Sequence, residues 1–149
     1  MQYFTLAEAE RRLPEVERHL RDALFHKTEY EQAHRELERS FERVRMQGGT
    51  RVNPGRQLEL RARRDTSVAA LQDALGEIEK TGAVVKDLDI GLLDFMTRYQ
   101  NRDVCLCWKL GETGIRFWHG SDEGFRGRKE IDQEFRRDHG REQSSGAPN

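Results

Sequence analysis

Apolar residues along the first third of the chain recur at alternating steps of three and four: Leu6, Ala9, Leu13, Val16, Leu20, Ala23, then Tyr30, Leu37, Phe41 and Val44. That spacing is a heptad repeat and predicts a long helix with one apolar stripe. Thr5-Leu6-Ala7-Glu8 marks its start as a capping box, with Thr5 at the N-cap, Glu8 at N3, and Phe4 placed to staple onto the next turn. At 1.5 Å per residue the stripe runs for about 60 Å. Pro14 has no amide hydrogen to give a helix interior, so it predicts a kink, or a short first helix with Pro14 opening a longer one. Lys27 and His34 fall where the stripe calls for apolar side chains, a departure that in heptad helices sets register or partner choice.

The run Gly48 to Gly55 is dense in helix breakers and predicts a reversal. A second helix is expected from about Arg56 to Lys80, with Leu58, Val68, Leu71, Leu75 and Ile78 facing the first and Gly82 as its stop. The two form an antiparallel hairpin over residues 4–82. A two-helix arm buries one stripe only, so the surplus heptads predict a homodimer through the hairpin.

Ten of the thirteen glycines lie from Gly76 onward, where the periodicity shortens to that of strands. Strands are expected near Ala83–Leu88, Leu92–Thr97, Val104–Lys109 and Ile115–Trp118, the last two closed by a turn centred on Glu112. That centre sets Cys105 opposite His119 and Cys107 opposite Phe117. One face then carries Cys105, Cys107, Ile115, Phe117 and His119, and the other Leu106, Trp108, Arg116 and Trp118. Both faces hold large apolar groups, so both must be covered. The whole reads as α+β: one domain over 1–136, made of the hairpin, a small antiparallel β-meander over 83–128 with a glycine-rich loop, and a polar, disordered tail over 137–149.

Composition narrows the function classes. Charged residues make up 36% of the 149, yet the formal net charge is -1, which describes a solvated surface and makes nucleic acid an unlikely partner. The N-terminus has neither a basic nor an apolar leader segment, and no apolar run approaches the roughly 18 residues of a membrane span, so a cytoplasmic protein is expected. The only cysteines, Cys105 and Cys107, are spaced badly for bonding each other and are expected to be reduced.

Candidate chemistry gathers around His119. Cys105, Cys107 and His119 offer the thiolate and imidazole donors that zinc prefers, with a fourth ligand to come from Asp94, Glu123 or elsewhere. Asp94, Trp108, Trp118, His119, Glu123 and Arg128 could instead line a pocket for a small anion beside the loop Ser121–Arg128. Against these stand buried structural cysteines and a loop closed by its own ion pairs. The Glu31-x-x-His34 spacing resembles a bundle metal motif, but Val68-Ala69-Ala70-Leu71 opposite it offers no carboxylate. Arg51, Arg56, Arg61, Arg63 and Arg64 form a basic patch that Glu59 and Asp65 dilute. No P-loop, dinucleotide fingerprint, zinc-protease motif or triad order is present, and the balance leans against an enzyme. The leading expectation is a self-associating, non-catalytic interaction module without a cofactor; the alternative is a small-ligand or metal-binding protein holding a divalent ion such as zinc.

Several strings act together: the capped Tyr3-Phe4-Thr5-Leu6 start with Leu13-Pro14, Val85-Lys86-Asp87-Leu88, Asp94-Phe95, Leu106-Cys107-Trp108 with Gly111-Glu112, and Ile115 with Trp118-His119. Asp122-Glu123-Gly124-Phe125 through Gly127-Arg128 completes the set. In these the chain resembles family 2203 of the bacterial domains of unknown function, over about Tyr3 to Arg128. The resemblance implies a compact bacterial protein with no assigned activity.

Overall fold

The computed structural model describes residues 2–48 and 53–140. Part of the expected reversal, 49–52, and part of the expected tail, 141–149, lie outside the described residues. Two helices, α1 (Leu6–Met46) and α2 (Pro54–Thr81), form the hairpin and are followed by β1 (Val84–Asp87), β2 (Leu92–Tyr99), β3 (Arg102–Lys109) and β4 (Phe117–Gly120). A 3-10 turn (Phe125–Gly127), β5 (Lys129–Glu130) and a short α3 (Gln133–Asp138) complete the chain. The five strands are antiparallel in sequence order, and with the hairpin they make an α+β fold. Among the described residues no helix is long and apolar enough to cross a membrane.

The chain divides into two compact units, Met1–Arg18 with Glu77–Asn149, and His19–Gly76. In the second unit the buried positions of α1 are Leu20, Ala23, Ala33 and Leu37. On α2 they are Leu60, Ser67 and Ala74, seven residues apart. This corrects the expected α2 stripe except at Ile78, which is buried as expected. Leu58 is 70% exposed, and Val68, Leu71 and Leu75 are only half-buried, because Leu60 and the small Ser67 and Ala74 occupy the seam while the other large residues flank it. Arg63 pairs with Glu29 at 3.1 Å and Arg56 with Glu36 at 2.7 Å, so two arginines of the basic patch are spent within the hairpin. Lys27 and His34 turn to their own helix, Lys27 to Glu31 and His34 to Glu38.

α1 is a single helix through Pro14, which rules out a break there. Thr5 caps it as expected, its Oγ1 accepting the Glu8 N–H at 3.2 Å. In the sheet unit Phe4 donates its backbone N–H to Met96 O at 2.8 Å, and its ring meets Phe95 edge-on at 5.2 Å. Gly82 ends α2 at φ 94°, and a Cβ there would lie 2.6 Å from the Phe4 ring, so both backbone and space require glycine.

β2 and β3 are longer than expected, meeting in a two-residue turn with Gln100 at φ 53° and Asn101 at φ 63°. Both residues adopt the left-handed conformation that hairpin turns need, without a glycine to announce it. The β3–β4 register is as read: Cys105 opposite His119 and Cys107 opposite Phe117. β4 itself starts two residues later than expected, leaving Ile115 in the loop.

The expected tail is ordered at its start. Phe135 is 1% exposed and packs on Tyr99 and Trp118 at 4.7 and 5.0 Å. His139 stacks on Phe135, its Nδ1–H donates to Phe135 O at 2.7 Å, and its Nε2 accepts the Leu6 N–H at 2.9 Å. Gly140 N–H then donates to Arg98 O at 2.7 Å. One aromatic in a polar segment is a weak sequence signal, which is why α3 escaped it.

Candidate metal centre

Register brings the chemistry together. Asp94 pairs with Cys107 between β2 and β3, and Met96 pairs with Cys105, which pairs in turn with His119 on β4. Alternation therefore puts Asp94, Cys105, Cys107 and His119 on one sheet face. His119 reaches diagonally across β3: its Nε2 lies 3.0 Å from Asp94 Oδ1 and 3.1 Å from Oδ2. Its Nδ1 is 2.8 Å from Gly120 O. Asp94, Cys107 and His119 each present a ligand atom within 4.8 Å of the others, and all three are buried.

Elementary valence constrains what lies between them. Gly120 O can only accept, so Nδ1 must carry a hydrogen. An ionised Asp94 also only accepts, so a positive centre must stand between it and Nε2: a proton, or a metal ion. With a proton there, the Asp94 carboxylate pushes the His119 pKa up, to about 10, with help from Cys107 and against the cost of burial. With a metal, one carboxylate and one thiolate offset a divalent charge inside a dry site, which is the condition for burying ions at modest cost. Cys105 is not one of the trio. Burial, followed by the Asp94 charge, pushes its thiol up to about 12, so it stays protonated at neutral pH.

Comparison with known proteins adds one finding: the family described as an uncharacterized conserved protein, DUF2203, matches residues 2–131. The chain belongs to the DUF2203 family. No curated protein and no solved structure matches it. In this DUF2203 chain the match spans Asp94, Cys107 and His119 and stops before α3.

The remaining candidates divide around the trio. Arg128 lies over the Phe117 ring at 4.1 Å and the Phe125 ring at 4.9 Å, donates to Glu112 Oε1 and reaches Cys107 O at 3.5 Å. It caps the Cys107 end of the face. Its Nε is buried without a partner among the described residues. Glu123 is spent elsewhere: it accepts from Gly120 N–H at 3.1 Å and from Lys129 Nζ at 2.8 Å. The Lys129 ammonium and that N–H hold its carboxyl below the usual range. Trp108 and Trp118 alternate onto the opposite face, where Trp108 Nε1–H donates to Glu112 O and Trp118 stacks on Phe135. The six residues proposed for an anion pocket are thus not assembled into one, and Cys105 leaves the metal set to Asp94.

What sequence reasoning missed in the DUF2203 chain was the Gly120 carbonyl and the pairing of Asp94 with Cys107. The second was available in principle, since a turn centred between Gln100 and Asn101 puts residues 94 and 107 opposite.

Proposed function

We propose that this DUF2203 protein binds one divalent, thiophilic metal ion, zinc before others, through His119 Nε2, Cys107 Sγ and an Asp94 oxygen. The observation that supports it is the His119 ring, which faces an acceptor at each nitrogen and needs a positive centre, a proton or a metal ion, beside Nε2, within reach of the Cys107 Sγ. A backbone carbonyl on the far nitrogen is how metal-binding histidines are commonly held. Three protein ligands leave a fourth position for water or an exchangeable donor. Metal content of the purified protein, with and without chelation, tests it. We expect about one zinc per chain, lost in Cys107→Ser, and a melting temperature about 5–10 °C higher at zinc a hundredfold above Kd. A chain without metal, indifferent to added zinc, overturns the reading.

A second reading, self-association through the hairpin, draws on the exposure of Phe25 (60%), Phe41 (41%), Met46 (82%) and Leu58 (70%) in that unit. Apolar side chains in water favour a partner surface where they form one patch. Light scattering at high micromolar concentration should give twice the chain mass, and a monomer there removes this reading.

A further inference from the structure

The loop after His119 is built around one side chain. Glu123 grips Gly120 from both sides: its carboxylate accepts the Gly120 N–H at 3.1 Å, and its own backbone N–H donates to Gly120 O at 3.0 Å. That same Gly120 oxygen accepts from His119 Nδ1. Lys129 Nζ holds the carboxylate in turn, at 2.8 and 3.1 Å. The neighbouring glycines fit this arrangement closely. A Cβ on Gly120 would stand 2.7 Å from Glu123 Oε1, and one on Gly127 would stand 2.6 Å from Oε2 and 2.7 Å from the Glu123 Cβ. Neither glycine has a left-handed backbone that would explain it, and a larger residue at either place would have to displace the Glu123 side chain.

We propose that Glu123 is a positioning residue for the metal slot: through Gly120 it fixes the His119 ring so that Nε2 faces Asp94 and Cys107. The proposal rests on the metal reading for its purpose but not for its geometry. A histidine ring beside a metal gains from a held far nitrogen because its tautomer and orientation are then set before the ion arrives. Lys129, Glu123 and Gly120 form the chain that sets them, and the glycine-rich stretch exists to let Glu123 turn back onto the strand end.

Three variants test it: Glu123→Ala, Glu123→Gln, whose amide oxygen can still accept from Gly120, and Gly127→Ala, which displaces Glu123 without removing it. In the metal-free protein, nitrogen-edited NMR should show the His119 Nδ1 proton as slowly exchanging in wild type, exchanging fast in Glu123→Ala and Gly127→Ala, and restored in Glu123→Gln. Zinc affinity should weaken about 10- to 100-fold in the first two and recover in the third. Ring signals and zinc affinity unchanged in both Glu123→Ala and Gly127→Ala overturn the proposal. A wild type that takes no zinc defeats the metal reading instead, and the metal-free ring signals still decide for or against Glu123.

Discussion

Two histidine–carboxylate pairs sit in the two units at nearly the same separation, and their surroundings differ completely. In the hairpin unit His34 Nε2 is 3.1 Å from Glu38, with the two side chains 43% and 68% exposed. In the sheet unit His119 Nε2 is 3.0 Å from Asp94, with side chains 6% and 3% exposed. Distance is therefore not what ranks them. Water screens the first pair and can replace either partner, so its worth is a few tenths of a kcal/mol. The second pair is buried away from solvent, where losing one partner strands the other in a medium that solvates it poorly.

Removing one member of the buried pair should produce the largest effect. Asp94→Ala or His119→Ala is expected to cost the metal-free protein about 3–5 kcal/mol, lowering its melting temperature by about 10 °C or more. The same pair gives a pH signature. Asp94 raises the His119 pKa above its unfolded value, so the stabilisation is fully present below the ordinary histidine range near 6.5 and is lost as pH climbs toward about 10. Urea midpoints of the metal-free protein should fall across that window, and Asp94→Asn should flatten that part of the fall. A flat wild-type profile, or a cost for Asp94→Ala no greater than for a surface residue, contradicts this account of the pair.

Much of the sheet site was legible because strand geometry converts one number, the turn centre at Glu112, into every cross-strand neighbour of β3 and β4. Asp94 entered the candidate list without a place, since Gln100 and Asn101 carry no strong turn signal and the β2–β3 register could not be read from them. The Gly120 carbonyl was invisible for a different reason: backbone oxygens leave no trace in composition. The hairpin was legible as an element but not as an interface. Periodicity finds apolar residues, whereas Ser67 and Ala74 bury themselves by being small, leaving Leu58 outside. Cys105 lies outside the trio because two neighbours in register need not both reach one centre, even with His119 directly opposite.

His139 offers a point between the two pairs, because it is half-buried and serves as a cap, its Nε2 accepting the Leu6 N–H at the start of α1. Ending the chain at Arg136 also removes the Gly140 bond to Arg98 O. Relative to a chain ending at Gly140, that truncation should cost about 1–2 kcal/mol, the size of a lost helix cap, and about 3–6 °C in melting temperature. His139→Ala in the full chain should reproduce most of that loss of stability while leaving the rest of α3 in place. His34→Ala should come last, within about 0.5 kcal/mol and smaller still in high salt. Three histidines then form a series ordered by burial, with their contact distances held between 2.9 and 3.1 Å. If calorimetry on the three alanine variants returned equal losses, distance and not burial would govern these contacts, and the case for a cation-demanding slot at His119 would lose its energetic basis.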